Sequence, residues 1–239
     1  MPIDEIEVPG SSISLKCWKA RIESVPNLFQ RIMKEGDAFN VESEIPGFHD
    51  CDSSDKVIRG FYSAIIPFEV EHLVDGISTK TLFKRIESCE FLALDGFVFT
   101  SGKTNPQKPL SHGLSLLSGY GVTLLEFEFN QLSQFHDRLS QLKSIALTNP
   151  KDKEIRRVRL TGQIESYTDY NVIDPRNHGI ESVAGIVDSP LGPMTITVSR
   201  KGGLRLGVRK GFILTLDCLL WVMKLVMDEK PPEYVQKQL

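Results

Sequence analysis

Arg205 and Arg209 stand in the run L-R-L-G-V-R, where Leu204, Leu206 and Val208 alternate with Arg205, Gly207 and Arg209. A period of two predicts a strand with an aliphatic back and a cationic front. Arg157 and Arg159 alternate with Val158 and Leu160 in the same way, and Arg156 precedes them. Arg200 and Lys201 fall in a turn before the first of these strands, Lys210 follows it, and no acidic residue lies between Met194 and Lys210. Guanidinium groups presented by two neighbouring strands would grip a phosphate backbone through bidentate hydrogen bonds and displace its condensed counterions. The candidate nucleic-acid-binding set is therefore Arg156, Arg157, Arg159, Arg200, Lys201, Arg205, Arg209 and Lys210. The plain alternative is that each is a solvated charge on a strand face. Tyr167 and Tyr170 are the nearby aromatics that could stack a single-stranded base.

Residue types suited to catalysis are present without the spacing catalysis needs. His49, His72, His112, His136 and His178 show no H-x-x-x-H or H-E-x-x-H arrangement, which argues against a zinc hydrolase. His178 sits beside Asp174 and Arg176 in a turn-rich segment, and Glu126 with Glu128 alternate on an expected strand; these three are the residues a nuclease or other phosphoryl-transfer site would draw on. Outward glutamates on an amphipathic strand are the commoner explanation of that pair. Ser101-Gly102-Lys103-Thr104 ends like a phosphate-binding loop, but the glycine required five residues before Gly102 is Phe97, and Pro106 and Pro109 follow where a helix should begin. There is no G-x-S-x-G elbow, and Cys17, Cys51, Cys89 and Cys218 form no C-x-x-C pair. No metal and no cofactor is expected.

The elements that would carry these residues read as follows. Alternation over Ser11–Trp18, with Ile13, Leu15 and Cys17 against Ser12, Ser14 and Lys16, predicts a strand; Pro26 opens a helix that runs to Gly36. The acidic stretch from Asp37 to Asp55 lacks periodicity and reads as a surface loop. Val57–Phe68 predicts a strand with Pro67 at its end or on an edge, and Ser78 is placed to cap a short helix carrying Leu82, Phe83 and Ile86. Two apolar runs joined by Asp95-Gly96 predict a hairpin with a type I′ turn, placed centrally because both faces are apolar. Pro109 opens a helix ending near Gly119, Val122–Phe129 alternates as a strand, and Asn130 caps a helix carrying Leu132, Phe135, Leu139 and Leu142. Glu154–Ser166 reads as a long strand, Tyr167–Gly179 as a loop and Val183–Val187 as a strand. A hairpin over Met194–Arg209 then leads into a helix over 212–227, on which Asp217, Lys224 and Asp228 form one narrow polar stripe. Asp217 and Lys224 are expected on the surface or in a subunit interface, because an isolated charge is costly to bury.

With 239 residues, 41% hydrophobic and 25% charged, the chain has ordinary globular composition. Its net charge of −3 is unevenly distributed: residues 1–100 hold 17 acidic and 10 basic side chains, and residues 101–239 hold 14 and 18. That imbalance divides the chain into an acidic α/β portion, 1–150, and a basic hairpin-and-helix portion, 151–239, packed as one globular unit. The helix over 212–227 is too short and too charged for a bilayer, the amino-terminal residues lack an export pattern, and the scattered cysteines suit a reducing compartment. A cytoplasmic protein without a membrane partner is the expectation. The fold class is α+β: a mixed, largely antiparallel sheet built from hairpin-plus-helix units, backed by helices, with a buried C-terminal helix. The function expected is non-enzymatic, sequence-independent binding of nucleic acid through its phosphates. The alternatives are an interaction subunit of a larger complex, meeting a protein partner or a second copy of itself, and a nuclease or phosphoryl-transfer enzyme.

Overall fold

The computed structural model describes residues 3–8, 10–74, 77–148, 157–164 and 179–227. The chain forms two compact units, the first from Met1–Lys16 with Leu124–Leu239 and the second from Cys17–Thr123. The architecture is α+β, with extensive antiparallel pairing, hairpins and four helices among the described residues.

In the first unit, β2 (Ser12–Ala20) contributes its first half to a sheet ordered β2, β12 (Gly203–Gly207), β11 (Gly192–Ser199), β10 (Gly179–Ser189), β8 (Gln141–Thr148), β9 (Arg157–Ile164). Its ladders are antiparallel. Register explains why these segments pair. Leu15, Leu204, Val198, Val183, Ile145 and Leu160 lie opposite one another in a single row across six strands, and Ile13, Leu206 and Ile196 begin a second. Directly opposed residues share a face, so one side of the sheet is aliphatic throughout. Ile196, Val198, Leu206 and Val183 are fully buried, each burial stabilising by roughly 1.5–3 kcal/mol. The helices α3 (Phe129–Asp137) and α4 (Leu216–Met227) cover this side: α3 packs on β10 and on α4. A Cβ added to Gly185, on the aliphatic side of β10, would lie 2.5 Å from Leu139 Cδ1. A short separate sheet pairs β1 (Glu5–Glu7) with β13 (Ile213–Thr215).

The second unit orders β3 (Gly47–Ser53), β4 (Ile58–Val74), β5 (Ile77–Leu94), β6 (Gly96–Gly102) and the second half of β2, with α1 (Val25–Glu35) and α2 (Gln107–Ser118) packed together. Ser24 caps α1 by accepting a hydrogen bond from the Asn27 amide at 3.3 Å, and Val25, Leu28 and Ile32 form its buried face. α2 ends at Gly119, whose φ of 79° admits the left-handed cap. Phe91, Phe48, Tyr62, Leu110 and Leu114 pack with α1 in one core.

Several expected elements differ. The helix capped by Ser78 does not form: Leu82, Phe83 and Ile86 belong to β5, which pairs with β4 in unbroken register from Ile58↔Ala93 to Val74↔Ile77. β4 is longer than Val57–Phe68, and Pro67 lies inside it, past the point where β3 stops pairing; among the described residues β4 is an edge there and needs no second partner for that residue. The acidic stretch 37–55 contains β3. The turn at Asp95-Gly96 has positive φ at Gly96 alone, 91°, so it lacks the two left-handed residues of type I′; Asp95 Oδ1 accepts instead from the Ile22 amide at 3.1 Å.

Of Val122–Phe129 only β7 (Thr123–Leu124) is strand, because Glu128 and Gln131 form a capping box that draws the following residues into α3; Glu128, not Asn130, is the cap. Leu142 lies in β8, a strand the helical reading of 130–142 concealed. The strand expected over 154–166 begins at Arg157 among the described residues, and that over 183–187 extends to Gly179–Ser189. The final helix starts at Leu216 because residues 213–215 pair with β1. Asp217 and Lys224 are exposed on it, as the polar stripe required, while Asp228 lies outside the described residues. No helix among the described residues is long and apolar enough to cross a membrane.

Candidate functional site

The face of the first unit's sheet opposite its aliphatic rows carries the candidate cations. Arg205 is exposed between buried Leu204 and Leu206, the predicted alternation. Across the sheet Arg205 lies in a row with Ser14 on β2, Thr197 on β11, Ala184 on β10, Ser144 on β8 and Thr161 on β9. The neighbouring row runs Lys16, Gly203, Ser199, Ser182, Ala146, Arg159. Arg157 follows one step further along β9, opposite Thr148. Two separate stretches of sequence thus place Arg205 and the pair Arg157 and Arg159 on one side of one sheet. The spacing from β12 to β9 is four strands, roughly 19 Å, and from β2 to β9 roughly 24 Å.

Small and hydroxylic side chains fill the ground between these cations. Ala146 is buried beneath its exposed neighbour Arg159, and Ser182, Ala184, Thr197 and Ser199 are half-buried. Gly203 has a local reason to be glycine: its amide donates to Ser199 Oγ at 3.0 Å, and an added Cβ would sit 2.4 Å from that oxygen.

The cations differ in what already holds them. Arg157 Nε pairs with Glu181 Oε2 at 2.7 Å. Glu181 is the extra residue of a bulge between Ile180 and Ser182, which lets its carboxylate reach the arginine. Arg205 donates to Ser12 Oγ at 3.1 Å and Arg159 to Ser144 Oγ at 3.4 Å; neither forms an ion pair among the described residues. In both the acceptor is an uncharged hydroxyl, which an arginine readily exchanges for the anionic oxygen of a phosphate. Arg200 and Lys201 are exposed in the β11–β12 turn, at the end of the sheet towards which Arg157 lies. The Arg200 carbonyl accepts from the Phe127 amide at 2.9 Å and its amide donates to Glu181 O at 2.8 Å, so the turn backbone is fixed. Arg209 and Lys210 are exposed beyond the opposite end of β12, before Gly211 with φ 76°. The seven described positions therefore do not form one cluster: Arg157, Arg159 and Arg205 share the face, Arg200 and Lys201 border it, and Arg209 and Lys210 flank its far end, while Arg156 lies outside the described residues. Lys16 completes the second row and was not among the expected residues. Its signal was the alternation of Ser12, Ser14 and Lys16, legible as a strand face but not as part of this one.

A second constellation lies in the other unit. Asp50 Oδ2 is 2.8 Å from His49 Nδ1, His49 Nε2 is 2.7 Å from Ser63 Oγ, and Ser63 Oγ is 2.6 Å from Ser88 Oγ. The His49 ring stacks on Phe61, centroids 5.5 Å apart. The order carboxylate, imidazole, hydroxyl is that of a nucleophilic triad. However, Ser63 is 1% exposed and no substrate reaches it. The chain instead ties β3 to β4 and β5. Sequence spacing hid it because Ser63 and Ser88 come to the adjacent pair His49 and Asp50 from two other strands.

Among the described residues the other candidates for chemistry do not assemble. Glu128 is committed to capping α3 and shares no strand face with Glu126. The Lys103 amide donates to Ser88 O at 3.1 Å, and α2 begins only at Gln107, so Ser101–Thr104 builds no phosphate cradle. His178, Tyr167 and Tyr170 lie outside the described residues. Among the described residues no group of three or more His, Cys, Asp or Glu side chains is placed to hold a metal ion. The sequence matches no protein-family model and no curated protein.

Proposed function

We propose that this protein binds nucleic acid through its phosphate backbone, largely independently of base sequence, using the cationic, hydroxyl-rich face of the first unit's sheet. One observation carries the reading: strand register sets Arg205 on β12 and Arg159 on β9 on the same side, each without a carboxylate partner among the described residues. Arginine and serine or threonine hydroxyls are the donors that phosphate contacts use, and contacts of that kind position a protein without reading bases. No catalytic role is assigned to the face. A cytoplasmic location fits the four free cysteines, three of which burial pushes towards the neutral thiol.

The test is a binding titration over increasing salt. Each duplex phosphate neutralised contributes about −0.9 to the slope of log affinity against log salt concentration. Arg159→Ala with Arg205→Ala should weaken binding at low salt and flatten that slope by nearly two. Undetectable binding at low salt removes the proposal.

The second reading, a subunit of a larger assembly or a homo-oligomer, is favoured by a different observation. Beyond Ser63 and Ser88, β4 and β5 continue as a two-stranded ribbon on which Leu73 is 76%, Leu82 62% and Ile86 52% exposed. Mass measurement across a concentration series, with Leu73→Ser and Leu82→Ser as comparison, tests it. A monomer at every concentration, for both proteins, counts against the homo-oligomer.

A further inference from the structure

Resting on the phosphate-binding reading, we infer that the ligand of the β-sheet face is a double helix rather than a single strand. Two features of the face point that way.

The first is the make-up of its two central rows among the described residues. The two register rows that contain Arg205 and Arg159 hold serine, threonine, alanine, glycine, lysine and arginine, and no aromatic side chain. Binding of a single strand draws much of its affinity from bases laid on aromatic rings, about 1–3 kcal/mol for each. Among the described residues these two rows offer a single strand phosphate contacts alone. A duplex keeps its bases stacked internally and needs nothing else from the protein.

The second is where the cations stand. Arg205 and Arg159 are not consecutive along one track but lie on strands roughly 19 Å apart, with Thr197, Ser199, Ser182 and Ala184 low between them. Strand twist turns β9 by roughly 80–100° relative to β12, so the two cations face separate points on a rounded body. The phosphate rows flanking a major groove about 12 Å wide are such points, reached when Arg159 leaves Ser144 Oγ and Arg205 leaves Ser12 Oγ. The low, hydroxyl-lined ground lets a rigid cylinder approach both at once and supplies further donors to its phosphates. An acidic protein remains the competing occupant of the same cations.

The experiment is fluorescence anisotropy at low salt with the full chain and four probes of equal length: a DNA duplex, an RNA duplex and the two separate DNA strands. The expected result is at least tenfold tighter binding of a duplex, DNA or RNA, than of either strand, and at least a tenfold loss of duplex affinity in Arg159→Ala/Arg205→Ala with an unchanged thermal midpoint. Strands bound as tightly as the duplexes, with that binding still lost in the double variant, overturn the duplex inference and leave phosphate binding standing. No binding of any probe, or binding unaffected by the double variant, overturns both and returns the face to an acidic protein partner.

Discussion

Glu87 is a carboxylate 4% exposed, and it is held from two sides: Arg85 Nη2 approaches Oε1 at 2.5 Å and Asn105 Nδ2 donates to Oε2 at 2.7 Å. The Arg85 guanidinium also lies over the Phe68 ring at 5.2 Å, which fixes it on the protein surface. A buried carboxylate that loses one hydrogen-bond donor retains its desolvation cost, so Asn105→Ala should destabilise by about 1–3 kcal/mol, read from the urea midpoint. A shift within error would mean that water replaces the amide without cost. The buried thiols make a second, pH-dependent case. Burial raises Cys89 from 9.0 to about 12 and Cys51 and Cys218 to about 11. The folded chain thus holds these protons more tightly than the unfolded chain. Their contribution is complete below about pH 9 and is lost as pH rises towards 11–12. Stability should therefore fall over that alkaline window, and alkylation of the native protein at pH 8 should be far slower than in denaturant. Rapid labelling of all four thiols in the native state would contradict the burial. None of this was legible in the sequence: Glu87 and Asn105 are 18 positions apart in elements whose pairing depends on the whole sheet, and the cysteine spacing spoke only to metals and disulfides.

Local signals were most readable where a single element carried them. The hairpin at Asp95-Gly96, the helix from Ser24 to Gly36 and the alternation of Leu204 to Gly207 each depend on neighbours in sequence, and each formed. The misreadings share a cause, which is tertiary pairing prevailing over a short apolar pattern. Leu82, Phe83 and Ile86 fit a helical turn as well as a strand, and what decided between them was the opposing run Ile65–Val74. The candidate face divided the same way: its arginines could be read individually, but their convergence depends on β8, of which the sequence showed only Leu142, as the end of a helix. The distal ribbon also sets up a prediction. From Ala64 to Val74 and from Ile77 to Glu87 each strand has a single hydrogen-bonded neighbour among the described residues, and two-stranded ribbons are marginal in water. Amides of Glu69–Leu73 and Ser78–Lys84 should exchange with deuterium orders of magnitude faster than those of Phe91–Leu94, which have strands on both sides. Equal protection along all of β5 would show that something covers the ribbon in solution, and would strengthen the assembly reading.

At the scale of the molecule, the proposal asks a protein of net charge −3 to bind a polyanion. That is feasible only if local field outweighs total charge, which is the regime expected within a Debye length of about 8 Å at physiological salt. The competing effects can be separated by two substitutions that change the total charge identically. Arg205→Gln and Lys224→Gln each take the formal charge from −3 to −4. Arg205 is on the open face of the sheet, whereas Lys224 is exposed on α4, which packs on α3 over the aliphatic side of the same unit. If the face is the site, Arg205→Gln should lower affinity several-fold and reduce the salt slope by about 0.9, the value of one phosphate contact, while Lys224→Gln changes neither. Equal losses from both would mean that binding follows bulk charge and that the register of the arginines has no part in it. A third variant, Glu181→Gln, moves the charge the other way by freeing Arg157 from its carboxylate. It should raise affinity and steepen the salt dependence, because one more guanidinium becomes available to phosphate. An increase from Glu181→Gln that disappears when Arg157→Ala is added would assign the effect to that pair rather than to the gain in total charge.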